Sequence, residues 1–164
     1  GRQRKQRNVY SLTIDFMEAV KGTQKEFVIQ GKPQKIKIPA GVDTGNRIRF
    51  DDYDVEIQVK SDSRFKRENY DIVIEKEISI TQAVLGGVIE VLTIDGLLKL
   101  KIQPGTQSGT MMRLREKGVP HVRGSGRGDE YVRIKIIIPD RISPKQKELL
   151  TEFELEGKKK KGWF

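Results

Sequence analysis

The chain has 164 residues, no cysteine and a formal net charge of +9. The lack of cysteine excludes disulfides, thiolate zinc sites and a thiol nucleophile, and no run approaches the roughly 20 apolar residues that a membrane span needs. The length admits one large domain or two small ones, and a unit of about 65 residues buries so little surface that it is marginal alone.

The excess charge sits at the ends. Arg2, Arg4, Lys5 and Arg7 open the chain, Lys158 to Lys161 come near its close, and the stretch between is nearly balanced. Residues 1–8 read as a basic flexible arm with no apolar run behind it, unlike a signal peptide, and residues 157–164 read as a basic tail. Nucleic-acid binders carry their charge on a face or along a helix. A nucleic-acid partner is therefore the alternative reading, acting through the tails, and it predicts binding that falls steeply with salt.

Along the chain, strand patterning dominates. Tyr10, Leu12, Ile14 and Phe16 alternate with Ser11, Thr13 and Asp15, a period of two. "DFMEAVKG" then reads as a short helical turn, capped by Asp15 with Glu18 three residues on and ended by Gly22. "KEFVIQ", "KIKI", "NRIRF" and "DVEIQVK" follow as short strands. Past a boundary near Tyr70 to Glu75 the order repeats. "DIVIEKEISI" precedes a second turn, "TQAVLGG", capped by Thr81 and ended by Gly86, and then come "GVIEVLTI", "LLKLKI", "MMRLR" and "EYVRIKIIIP". Asp95-Gly96, between two of these strands, is a strong hairpin signal.

The repetition is literal. "IKIPAGVDTGNRIRF" (36–50) and "LKIQPGTQSGTMMRL" (100–114) share Lys37/Lys101, Ile38/Ile102, Gly41/Gly105, Gly45/Gly109 and Arg49/Arg113. Turns between strands need positive-φ positions that glycine takes cheaply. The short helical turns keep the same offset through Ala19/Ala83, Val20/Val84 and Gly22/Gly86. "VEIQV" and "VRIKI" then match at a larger offset, so the second copy carries a longer loop, mainly "EKGVPHVRGSGRG". The expected fold is mostly β: two tandem β-subdomains made by duplication, over 9–74 and 75–142, each with one short helix.

The last segment changes character. In "RISPKQKELLTEFELE", Ser143 before Pro144 starts a helix expected over 143–156. Ile142, Leu149, Leu150, Phe153 and Leu155 form an apolar stripe on it. So short a helix is marginal alone in water, so the stripe packs either on its own domain or on the same helix of a second chain.

No constellation of residues marks an enzyme. "RGSGRGD" (123–129) lacks the strand-to-helix setting and the Gly-Lys-Ser/Thr ending of a phosphate loop and reads as a mobile hairpin loop. His121 is the only histidine, and no carboxylate pair stands in an apolar setting. What remains is binding. Phe27 and Ile29 share one face of a strand with Val28 on the other, and Tyr10, Leu12 and Ile14 make a similar row. These rows either fill the core or line a groove beside a free strand edge, where an extended peptide adds as a further strand. The terminal Trp163 and Phe164 are apolar residues on a basic tail, able to dock in a groove.

"KIPAGVDTGNRIR", "FKRENYDIVIEKEISITQAVLGG", "TIDG", "KIQPGTQSGTMMRLREKGVP", "GRGDEYVRIKI" and "SPKQKELL" together resemble the C-terminal client-binding region of DnaJ-type co-chaperones, from about Val9 to Glu156. The resemblance implies two β-sandwich subdomains and a C-terminal helix that pairs two chains, with Leu149, Leu150 and Phe153 as dimerisation residues. It implies that unfolded client polypeptide binds an apolar groove formed by Tyr10, Leu12, Phe27, Ile29 and Val55, with Lys25 at its rim, before transfer to a DnaK-type partner. Phe27→Ser or Ile29→Ser is then expected to cut client binding and leave the fold intact. In some members basic rim residues hold the partner's acidic tail, and Val28 stands where a second lysine is expected.

The chain has no His-Pro-Asp motif, so it is expected to hold clients without triggering its partner's ATPase. No cofactor is expected in this chain. Between Gln30 and Lys35 the family's cysteine-rich zinc module is missing, which implies either a zinc-less class or a longer natural form that carries the module and its zinc. "FDDYDVEI" replaces a long glycine-rich loop, as in mitochondrial members, which points to an intracellular protein of an organelle rather than the cytosol.

Overall fold

The computed structural model describes residues 6–159. The terminal basic residues Arg2, Arg4 and Lys5, the tail from 160 onward, and with it Trp163 and Phe164, lie outside them.

The first half runs β1 (Asn8–Ile14), α1 (Phe16–Lys21), β2 (Thr23–Ile29), β3 (Lys32–Ile38), β4 (Arg47–Arg49) and β5 (Tyr53–Val59). A short strand β6 (Lys66–Glu68), which the sequence pattern missed, leads into β7 (Asp71–Ser79) and α2 (Ile80–Leu85). There follow β8 (Gly87–Thr93), β9 (Gly96–Ile102), β10 (Met111–Leu114), β11 (Glu130–Ile137) and α3 (Pro144–Lys159).

The two halves repeat one topology. β1 pairs in parallel with β5, which pairs antiparallel with β4; β7 pairs in parallel with β11, which pairs antiparallel with β10. Each half adds a two-stranded hairpin, β2–β3 or β8–β9. The shared glycines do the same work in both halves. Gly45 and Gly109, at φ 90 and 86, donate to Ile57 O (2.9 Å) and Ile134 O (2.7 Å). Gly41 and Gly105 each donate to the alanine of the preceding short helix, Ala19 or Ala83.

Caps set the helix starts. Asp15 and Glu18 form the expected capping box at α1. At α2 the cap is Ser79, whose Oγ accepts from Gln82 N (3.1 Å), and not Thr81, which lies inside the helix. Serine opens the box because glutamine stands three residues on, as glutamate does after Asp15. Ser143 and Gln146 form a third such box, and α3 runs to Lys159, three residues past the expected end. Lys158 and Lys159 there pair with Glu154 and Glu156, so they belong to the helix rather than to a tail. The β8–β9 turn is Ile94-Asp95, one residue earlier than expected, because Thr93 pairs with Gly96. β7 runs unbroken through residue 75, so a division between 74 and 75 cuts a strand.

Two cores result. Leu12, Ile14, Ala19, Ile29, Ile36, Val55 and Ile57 belong to the first. The second gathers Phe65, Ile72, Val91, Ile102, Val132 and Ile134, and also takes Phe16 and Val20 from the first half. α1 thus wedges between the halves: Ala19 enters one core, while Phe16 and Val20, one turn apart on the adjacent face, enter the other. Phe16 stacks on Phe65 with 5.7 Å between ring centres.

The longer loop of the second copy is a clasp rather than the expected mobile hairpin. Val119 is fully buried and its N–H donates to Tyr70 O (2.8 Å), the His121 ring meets Tyr70 edge-on at 4.7 Å, and Val122 packs on the first core. From the other side, the Arg67 guanidinium donates to Gly41 O (2.8 Å) and Val42 O (2.6 Å) and lies over the Tyr70 ring.

Candidate functional site

Alternation on β1 and β2 decides which side chains share a face. On β1, Tyr10, Leu12 and Ile14 point inward; on β2, Lys25, Phe27 and Ile29 do, while Val28 is 64% exposed on the far side. The β1–β5 register sets Tyr10 opposite Val55 and Leu12 opposite Ile57. The five apolar residues expected at the groove therefore converge on one region of the first half, but at two depths. Leu12, Ile29 and Val55 are core residues, with Val55 fully buried. Tyr10 and Phe27 are half-buried above them.

Two aromatics that the sequence reading missed extend this upper layer. Phe27 meets Tyr10 edge-on (6.4 Å), Tyr10 meets Tyr53 edge-on (5.8 Å), and Tyr53 stacks on Phe50 (4.8 Å). The result is a continuous aromatic row over the first core. Its signal lay in "FDDYDVEI", where an aromatic stands at each side of a tight acidic turn. Arg7 holds that turn: it pairs with Asp54 (3.0 Å) and donates to the carbonyls of Phe50, Asp51 and Tyr53. Arg7 is thus an anchor of the site and not part of a free arm.

The row lies beside unpaired backbone. β1 has β5 on one side only, and β2 has β3 on one side only, so each presents an edge with no strand beside it among the described residues. At the rim, Lys25 Nζ lies 2.9 Å from Glu18 Oε1. Glu18 also accepts from Asp15 N–H (2.8 Å), and that bond, followed by Lys25, holds its carboxyl below the usual carboxylate range. Lys25 is therefore already paired, through the same residue that caps α1.

The difference in depth separates two substitutions that the sequence reading grouped. Ile29→Ser removes a side chain that is only 5% exposed and leaves a hydroxyl in the core. It is expected to cost about 3 kcal/mol of stability, seen as a lower urea midpoint, and so to report on folding. Phe27→Ser trims the upper layer and is expected to leave the core closed.

Leu149, Leu150 and Phe153 are each about half exposed on α3, on the side facing α2. Nothing in the chain suits the thiolate zinc site of the family's cysteine-rich module. There is no cysteine, β2 and β3 are joined by the tight turn Gln30-Gly31, both at positive φ, and no group of three or more His, Cys, Asp or Glu that could hold a metal occurs among the described residues. No described helix is long and apolar enough to cross a membrane.

Residues 8–139 match the family described as DnaJ C terminal domain. The chain is 48% identical to the chaperone protein DnaJ of Brevibacillus choshinensis, over 76% of this chain and 37% of that protein. It is 44% identical to that of Methanothermobacter thermautotrophicus, over 72% and 35%, and 40% identical to that of Syntrophobacter fumaroxidans, over 81% and 38%. The chain thus spans a little over a third of the length of these relatives. They are bacterial and archaeal, so the pointer to an organelle finds no support among them.

Proposed function

The chain belongs to the DnaJ C-terminal domain family, and on that premise we propose that it is the client-holding part of an intracellular DnaJ-type co-chaperone. Its role is binding, not catalysis. An extended segment of non-native polypeptide adds to the free edge of β1 or β2 and sets apolar side chains against Phe27, Tyr10, Tyr53 and Phe50. Backbone hydrogen bonds supply affinity for any sequence, and the row supplies the preference for apolar side chains. Leu12, Ile29 and Val55 form the floor that holds the row in place. The observation that carries this reading is the half-buried aromatic row beside unpaired strand edges, since aromatic groups with a wet face are suited to reversible apolar contact.

The area at stake is modest, and ordering costs take much of what burial yields, so weak and promiscuous binding is expected. That suits a protein that prevents aggregation and then passes its client to a DnaK-type chaperone. Where such a partner offers an acidic tail, Lys25 is the rim contact. It must exchange its Glu18 carboxylate for the incoming one, so Glu18→Gln is expected to tighten acidic-peptide binding.

The test is fluorescence anisotropy of a labelled apolar peptide. Phe27→Ser is expected to weaken binding by about tenfold with the fold retained, and Val28→Ser, on the opposite face, to leave it unchanged. Equal effects of the two, or none from Phe27→Ser, would remove the aromatic row as the site.

Two such chains pair through α3. Leu149 and Leu150, each about half exposed on it, are the kind of apolar surface that a second chain covers. Leu150→Asp is expected to shift the chain to monomer in sedimentation equilibrium without altering peptide affinity per site.

A further inference from the structure

Glu130 is 0% exposed, and neither of its carboxylate oxygens has a hydrogen-bond partner. Its cross-strand neighbours, Ile72 on β7 and Leu114 on β10, are buried and apolar. The charges that bear on it come from the β8–β9 turn and from the root of the clasp. Asp95 disfavours its ionised form, and Lys117 favours it. Asp95 is itself held by Arg127 (2.8 Å) and, more loosely, by Lys117 (3.9 Å). Asp129, the residue before Glu130, is taken up by Arg113 (2.6 Å).

A carboxyl in such a place stays neutral or must find a partner, because a buried and unpaired charge is too costly to keep. The groups that would have to move to supply one belong to the clasp. Lys117 stands next to Gly118, whose carbonyl accepts two bonds from Arg127 (3.0 and 2.9 Å) and whose N–H donates to Gly128 O (2.8 Å). Lys117 and Arg127 thus root the two ends of the 118–128 loop above Glu130. We propose that Glu130 is a proton-operated latch for this loop: with the carboxyl neutral the loop lies closed on the first half, and when the carboxyl ionises the root of the loop lifts and brings the Lys117 ammonium and water to it.

Burial pushes the Glu130 pKa up to about 7, which sets the latch near neutral pH. Its movement carries across the molecule, since Val122 in the loop packs on the core that also supports Tyr10 and Phe27. The opening is local: the loop parts from the first half while both sheets persist. This inference rests on the buried carboxyl and the loop above it, and not on the client-binding reading.

Amide hydrogen exchange of the full chain, followed by NMR and corrected for intrinsic rates, separates local opening from unfolding. Two N–H groups report on the loop: Val119, bonded to Tyr70 O (2.8 Å), and Gly128, bonded to Val119 O (3.0 Å). Two report on the sheets: Ile57, bonded to Asn46 O (2.9 Å), and Ile134, bonded to Thr110 O (2.9 Å). Between about pH 5.5 and about pH 8 the protection of the loop pair is expected to fall by about tenfold or more, with a much smaller change in the sheet pair. Glu130→Gln is expected to hold the loop pair protected throughout. Lys117→Met is expected to move the transition to higher pH, because it removes the cation that favours the ionised carboxyl. His121 is a second titratable group of the loop, with its ring against Tyr70, so His121→Gln is the control and is expected to leave the transition in place. Loop protection that does not change with pH overturns the proposal, as does equal loss at the sheet pair, which marks global destabilisation. A transition that survives Glu130→Gln, that vanishes in His121→Gln, or that Lys117→Met leaves in place or moves to lower pH also overturns it.

Discussion

Gly41→Ala is expected to destabilise the protein by at least about 3 kcal/mol and to open the clasp between its halves. Gly41 has φ +92, where a β-carbon costs roughly 1–2 kcal/mol. The larger effect is contact: a β-carbon there would stand 2.0 Å from Pro120 O and 3.2 Å from Val122 N. Both atoms are backbone, so no side chain can swing aside, and the 118–128 loop must lift. Val122 then leaves the first core, and the carbonyls that Arg67 gathers lose their alignment. Urea denaturation measures the loss of stability. Limited trypsin digestion measures the opening, because Arg123 sits at the exposed tip of the loop. A variant as stable and as resistant as the parent would mean that the loop is free of the first half.

The second large effect is a pH dependence from Glu130. This residue opens β11 with both carboxylate oxygens buried and without a hydrogen-bond partner. Burial, and then the neighbouring charge of Asp95, push its pKa up to about 7, with Lys117 opposing. The unfolded chain ionises this group near the ordinary value of 4.5, so the folded state holds a proton that the unfolded state has released. Stability therefore falls as pH rises from about 4.5 to about 7 and levels off above that, by up to about 3 kcal/mol. Glu130→Gln keeps the shape and removes the ionisation. Its urea midpoint is expected to match the parent near pH 4.5 and to exceed it at pH 8. Parallel pH profiles for the two proteins would show that Glu130 finds a partner or water when it ionises.

The two halves of the fold depend on each other. The first half holds the aromatic row, yet its short helix completes the second core through Phe16 and Val20, and the second half's loop completes the first core through Val122. Units of about 65 residues bury so little surface that each is marginal alone. Exchange of side chains between cores makes the two halves stand or fall together.

Much of this was legible in the residues. Alternation marked most strands, and the duplication appeared as paired glycines, because the positive-φ turns at Gly45 and Gly109 admit little else cheaply. The helix starts at Asp15 and Ser143 followed from local capping chemistry, which needs only three or four consecutive residues. Thr81, the expected cap, lies inside the helix; Ser79 caps it because Gln82 stands three residues on and closes the box.

Depth was not legible. Period-two alternation puts Tyr10 with Leu12 and Phe27 with Ile29, but says nothing about what covers each row. That is decided by long-range packing: β5 sets Val55 and Ile57 beside Tyr10 and Leu12 from more than forty residues away, and Ile29 joins the same core. The same holds for Phe50 and Tyr53, drawn into the row by a turn that Arg7 clamps, and for Glu130, which reads as a surface carboxylate until β7 and β10 close on either side of it. Local periodicity and backbone sterics determined the elements and their repetition. Only long-range packing, which assigns each face to core or solvent, decided which apolar residues hold the fold and which are left for a partner.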